Sequence, residues 1–364
     1  MNKKSRTDID SESSWEIALR YSRLITTIPD TIAFAIKALR RNHVELLSGG
    51  TDRIEPSSFA AVRLLDSIKS LKTPLFFAAA RLYPERFKTA EDDTSRALLK
   101  VLGPGLFSSL LTVIYFYRRI QKFSDPDVWN IYSREFLKIL EVGFLLGEAV
   151  PEMGPTETVL MAAIRPISIG AFLIKDKDSY TRYFNRFKGD LDINFEHERW
   201  GCDHSQVAYY ITRKLGYYGE RLPGYSGSRS PYDVRQALLG NFQGEPDDTG
   251  LKIWASSIYW LDSLKRGSES AEKLGDFTVT QKDFDALVEA TERVYQKGSS
   301  FDWLNLRYRE FDEEVAKEHE NLESPRRVAL IEELKRVGYK EEELEPLSLK
   351  ELEDLRDLTE HYSE

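Results

Sequence analysis

Cysteine is almost missing from these 364 residues: Cys202 stands alone. One thiol cannot close an internal disulfide, and no set of Cys and His has the spacing of a zinc site. Disulfide-stapled and zinc-module folds are therefore excluded. Long apolar runs are scarce as well. The longest, Leu106 to Tyr117, follows Pro104 and Gly105 and is too short to span a bilayer, so it reads as a fully buried helix. The segment Met1 to Asp8 begins with positive charge but runs into polar and acidic residues, with no apolar signal core. Positive charge is also in deficit. The net charge of −9 disfavours nucleic-acid phosphates and anionic membranes as general partners. The expectation is a cytoplasmic protein with no membrane association, and one for which nucleic acid is a poor partner.

What is present is ordinary for a globular chain: 41% apolar and 30% charged residues, at a length that allows two or three domains. Helical spacing dominates. Trp15, Ala18, Leu19 and Ser22 share one face, and after Pro29 the series Ile32, Ala35, Ile36, Leu39 shares another. A polar segment from Asn42 to Ser57 precedes a helix expected over Phe59 to Leu71, and Pro74 is expected to open the next. Asp125-Pro126-Asp127 reads as a cap before a long helix from Val128 to about Leu146. The apolar run Val159 to Ile174 and the Asp203-capped helix Ser205 to Leu215 follow. Gly216 to Pro231, rich in Gly, Ser and Tyr, reads as a loop. No strand alternation is sustained, and the fold class is all-α.

Composition changes after about Gly267. Thr280 and Asp283 start a helix carrying Phe284, Leu287, Val288, Thr291 and Val294, which Gly298 ends. Beyond Pro325, two short amphipathic segments form an acidic tail. Residues 323 to 364 hold 13 acidic and 7 basic side chains, a net of −6. The tail loosely resembles short helix–turn–helix units, some of which bind DNA, but its charge is wrong for that. It suits protein docking or simple stabilisation better. The expected division is 1–20 as an N-terminal extension with its first helix, 21–268 as the main domain, and 269–364 as a C-terminal helical region.

Three segments in order carry a family resemblance: "LITTIPDTIAFAIKAL", "SRALLKVLGPGLFSSLL" and "EHERWGCDHSQVAYYI". In the third, Glu196, Glu198, Gly201, Asp203, His204 and Val207 stand at the spacing "E.E..G.DH..VG", with Ala208 replacing the last glycine. From about residue 24 to 267 the chain resembles the bacterial HDOD domains, degenerate relatives of the HD phosphohydrolases. The resemblance implies a multi-helix bundle with a helical N-terminal lobe, here followed by a small C-terminal helical subdomain.

The active relatives hold one or two divalent metals with His and Asp side chains, because imidazole and carboxylate together fix a cation that activates water and clamps phosphate. Laid onto this chain, the resemblance puts the early His at Tyr132 or Ser133 and the His-Asp pair at Arg165-Pro166. It puts the later His pair at Asn241-Phe242 and the final Asp at Ser256. Arginine is a permanent cation and proline has no donor to give a metal. No metal, no cofactor and no phosphohydrolase activity are therefore expected. Tyr132, Arg165, Asn241 and Ser256 are the candidate lining of the relic pocket.

Each candidate also has a plain structural reading. Asp203-His204 suits a helix cap, and Glu196, Glu198 and Gly201 suit packing around it. Arg165, a cation inside an apolar run, calls for an acidic partner, with Glu141, Glu148 or Glu198 the candidates; otherwise it grips an anionic ligand. "GYSGS" lacks the nucleophile-elbow spacing, and "GPG" lacks the Lys-Ser/Thr of a phosphate loop. The expectation is a signalling scaffold without catalysis, working through one or more protein partners or a second copy of itself. The rival is a sensor of a nucleotide or other anion in the relic pocket, and a divergent phosphohydrolase ranks third.

Overall fold

The computed structural model describes residues 12–65, 68–88, 94–187, 190–218, 230–244, 248–267, 277, 279–305 and 325–337, with Tyr339, Lys340, Leu344, Leu352 and Arg356. Among the described residues the regular elements are helices. In chain order they are α1 (Glu12–Ile25), α2 (Asp30–Leu47), α3 (Pro56–Arg63), α4 (Lys69–Leu82), α5 (Pro84–Lys88), α6 (Ser95–Phe123), α7 (Pro126–Ala149) and α8 (Gly154–Lys175). There follow α9 (Lys177–Phe187), α10 (Ile193–Trp200), α11 (His204–Leu215), α12 (Pro231–Leu238), α13 (Thr249–Lys265), α14 (Gln281–Lys297), a 3-10 turn (Ser300–Asn305) and α15 (Pro325–Val337).

Helix α8 is the axis of the fold. Val159 to Ile164 and Ile167 to Leu173 are all buried, and α1, α6, α7, α9, α11 and α13 pack around them. The closest partner is α7, and glycine makes that approach possible. A Cβ at Gly143 would stand 2.6 Å from the Ala162 Cβ, and one at Gly147 would stand 2.4 Å from the Pro155 Cα. Any larger residue would push the two helices apart. Helix α6 bends where Gly103 takes φ 72° and ψ 161°, a conformation essentially closed to residues with a Cβ, and Pro104 opens the second half. Helices α6 and α8 are long and apolar enough to cross a membrane by length and composition, yet 89% and 83% of their apolar stretches are buried inside the protein.

Several boundaries move. The second helix runs to Leu47, since Val44 extends its buried stripe past Asn42. The helix expected over Phe59 to Leu71 breaks after Arg63, and Pro74 lies inside α4, which begins at Lys69. The loop from Gly216 to Pro231 lies mostly outside the described residues.

The three-part division also shifts. A boundary at residue 20 would cut α1, which packs on α11 and α8 and buries Ala18 and Ile25 in the main core. Residues 281–305 likewise belong to that core rather than to a separate C-terminal region. Phe284, Leu287, Thr291 and Val294 form one buried stripe of α14, and Phe301, Trp303 and Leu304 follow them inward. A stripe at 3.6-residue spacing needs a surface to cover it, and α7 supplies one. The second, small core comprises Leu330, Leu334, Leu344 and Leu352, within the acidic tail.

Candidate functional site

Three groups of charged side chains lie inside this helical body. The first is the motif segment itself. Helix α10 stops at Gly201, φ 78°, and Asp203 caps α11. Its Oδ1 accepts the Ser205 N–H at 2.9 Å and the Gln206 N–H at 3.1 Å, while the Gln206 side chain accepts the Asp203 N–H. That is a complete capping box. The other oxygen accepts His197 Nε2 at 2.8 Å and Arg235 Nη2 at 2.7 Å. Burial alone would raise the Asp203 pKa, but the hydrogen bond from His197 and the Arg235 charge outweigh it and hold the carboxyl well below its usual range.

Glu196 is bound as tightly. It accepts the Tyr183 hydroxyl at 2.6 Å, the His204 N–H at 2.7 Å and His204 Nδ1 at 2.8 Å. Burial first, then the Glu196 charge, pushes the Tyr183 phenol far up. Cys202 is buried nearby, and burial, then the charges of Asp203 and Glu196, push its thiol pKa up, away from the thiolate form. Glu198 is exposed. Glu196, Gly201, Asp203 and His204 thus lock α9, α10, α11 and α12 together.

The second group was not anticipated from sequence. Arg40 of α2 and Glu157 of α8 are both buried and paired, and Trp254 Nε1 donates to the second Glu157 oxygen at 2.8 Å. The Arg40 guanidinium also lies 5.5 Å from the centre of the Tyr217 ring. His43 Nε2 is 3.9 Å from the same carboxylate. Burial and then the Arg40 charge bring the His43 pKa down to about 4, against the pull of Glu157. A signal was present: Arg40 and His43 continue the apolar stripe Ile32, Ile36, Leu39 one turn further, which places a cation on a buried face.

The third group lines a cleft of about 300 Å3 between α7, α8, α9, α13 and α14. Here two of the four relic-pocket candidates meet, Tyr132 and Arg165, with Pro166 beside them. The Tyr132 hydroxyl donates to the Pro166 carbonyl at 2.8 Å. Arg165 pairs with Asp262 at 2.8 Å, so the expected partners Glu141, Glu148 and Glu198 are replaced by an acid from α13. Lys265 reaches Asp190 at 2.9 Å across the mouth. Tyr180 and Tyr295 add phenols whose pKa values are raised by burial and then by Glu135.

Asn241 and Ser256 are not part of this cleft. Asn241 is exposed in the turn after α12, its N–H bound to the Gln236 carbonyl at 2.9 Å. Ser256 lies six residues before Asp262 on α13, roughly 240° around the helix, on a different face. Among the described residues, no group of three or more His, Cys, Asp or Glu side chains gathers as a metal ion would require.

No protein-family model matches the chain, and no curated protein matches it. Two solved structures are similar to it. One is a "Putative phosphohydrolase" from Shewanella amazonensis SB2B, 12% identical with a TM-score of 0.49, over 80% of this chain and 98% of that one. The other is an HDOD domain protein with unknown function from Geobacter sulfurreducens, 14% identical with a TM-score of 0.46, over 85% of this chain and 96% of that one. Both are likenesses of fold.

Proposed function

We propose that this chain is a non-catalytic regulatory scaffold of bacterial signal transduction, acting through protein–protein contacts. One observation carries the reading. Where the HDOD resemblance lays the metal ligands of the active relatives, Tyr132, Arg165 and Pro166 are joined to helix neighbours. The Tyr132 hydroxyl bonds the Pro166 carbonyl, and Arg165 bonds Asp262. A guanidinium at the centre of the former site repels a divalent cation instead of holding one. The test is hydrolysis of nucleotides and cyclic dinucleotides in the presence of magnesium or manganese. No turnover above the metal-only blank is expected. Metal-dependent turnover that is lost in Arg165→Ala or Asp262→Asn would overturn the reading.

The cleft itself favours a second reading, a sensor of a small anion. Its volume of about 300 Å3 is at the lower end for small-molecule sites. The Arg165 Nε is buried and has no hydrogen-bond partner among the described residues. A carboxylate or phosphate group reaching it would supply the missing acceptor. Thermal-shift measurement with nucleotides decides this. A ligand at about 100 times its Kd raises stability by about 2.7 kcal/mol, and no rise at saturating dose removes the sensor reading.

A further inference from the structure

A groove of about 710 Å3 opens where the end of α1, the middle of α2 and the end of α11 meet. Four cations line it, Arg23, Lys37, Arg213 and Lys214, and among the described residues no acid does. That is unusual on a chain whose net charge is −9. All four side chains are exposed, and among the described residues none is in an ion pair. Arg213 Nη1 also donates to the neighbouring Tyr209 hydroxyl, at 3.2 Å. Glu16 sits near Tyr210 but outside the lining.

Helix ends offset part of this charge. Arg23 stands in the last turn of α1, and Arg213 and Lys214 in the last turn of α11. Two C-terminal dipoles contribute about half a negative charge each, so about three positive charges remain uncompensated. Leu19 and Tyr210 supply apolar surface between the cations.

We propose that this groove binds an acidic peptide segment of a partner protein, one that alternates carboxylates with aliphatic side chains. The proposal rests on the reading of the chain as a protein-binding regulator and adds where the partner docks and what chemistry it brings. Carboxylates match the four cations, and an aliphatic side chain between them matches Leu19 and Tyr210. Four cations are a thin electrostatic footprint for a long nucleic acid, which gains its affinity from many phosphate contacts. A flat anionic membrane would not follow a concavity between three helices.

The test uses the full chain and a fluorescein-labelled peptide, Glu-Glu-Leu-Glu-Glu-Leu-Glu-Glu, read by fluorescence anisotropy. Binding is expected to weaken at least tenfold in the variant R23E/K37E/R213E/K214E, and less in the milder R23Q/K37Q/R213Q/K214Q. It is also expected to vanish when glutamine replaces glutamate in the peptide. The milder variant, with its far-UV circular dichroism compared to the parent, covers misfolding of the reversed one. Equal affinity of parent and variants, no binding of the peptide, or preference for oligothymidylate or phosphatidylserine vesicles over the peptide would each overturn the groove assignment. Metal-dependent hydrolysis would overturn the scaffold reading instead, whatever the peptide does.

Discussion

The corner between α10 and α11 and the cleft beside α8 use the same kinds of side chain to opposite effect. At the corner, Asp203 and Glu196 are fully buried, and both oxygens of each carboxylate accept at least one hydrogen bond. In the cleft, Arg165 and Asp262 share one contact, with side-chain exposures of 13% and 32%. A carboxylate whose lone pairs are all occupied has no capacity left for a ligand, whereas a singly bonded pair at a cleft mouth has. The sequence motif that carries the family resemblance therefore marks the rigid end of the molecule. The chemically open end is where the motif is silent.

The contrast predicts its largest effect at the corner. Asp203→Ala removes the α11 cap and leaves Arg235 and His197 buried without their acceptor, at a cost of about 3–5 kcal/mol. Asp203→Asn keeps an acceptor for the cap and should lose distinctly less. Urea unfolding measures both. A loss below about 1 kcal/mol for the alanine variant would mean that the corner relaxes and does not hold the bundle.

The Arg40–Glu157 pair sharpens the comparison, because it is nearly as buried as the corner but joins two helices far apart in sequence. Arg40→Met or Glu157→Leu alone strands a charge and should cost about 3–5 kcal/mol, while the two combined should recover most of it. If the double variant is as unstable as the singles, the pair contributes specific packing beyond its mutual neutralisation. Chemical denaturation of the three variants supplies the cycle.

His43, at the edge of that pair, gives a pH signature of somewhat smaller size. An unfolded histidine titrates near 6.5, and here burial and the Arg40 charge lower the value to about 4. Between these limits the unfolded chain binds the extra proton and the folded chain does not. The contribution is therefore complete above about pH 6.5, declines as pH falls and levels off below about pH 4, a change on the order of 3 kcal/mol. Asp203 acts in a different window, since a depressed carboxylate loses its contribution only below its ordinary range. His43→Gln should remove the slope between about pH 5 and 6.5 and leave the lower one, which Asp203 and Glu157 carry. Urea midpoints measured across this pH range read the difference, and an unchanged slope in the variant would assign it to another group.

Much of this was legible in the sequence, for physical reasons. Caps such as Asp125, Asp203 and Thr280 are local, so their signatures held: each side chain accepts a backbone N–H two or three residues on. The buried run Leu106 to Tyr117 and the stripe of α14 follow from periodicity alone. What was not legible is pairing across the chain. Arg40 meets Glu157 and Arg165 meets Asp262 over separations of 117 and 97 residues, and no local pattern encodes which acid a buried cation will find. A motif count puts Asn241 and Ser256 in the cleft, but Asn241 lies in the exposed turn after α12 and helix phase carries Ser256 to another face of α13. The boundary at 268 followed a change in composition, whereas the core follows the apolar stripe through to Leu304.

The smallest predicted effect is the one that decides what the cleft is for. Arg165 and Asp262 form a partly solvated pair, so screening and side-chain entropy leave a coupling of about 0–1 kcal/mol. Arg165→Met, Asp262→Asn and the double variant should each unfold within about 1 kcal/mol of the parent, a fraction of the corner's loss. A coupling above about 2 kcal/mol would place the pair with Asp203 and Glu196, as a structural lock whose bond no ligand could cheaply break. A weak coupling leaves the guanidinium free to turn toward an anion at little cost to the fold. That outcome, joined to a thermal shift lost in Arg165→Met alone, would separate a ligand site from a remnant of packing.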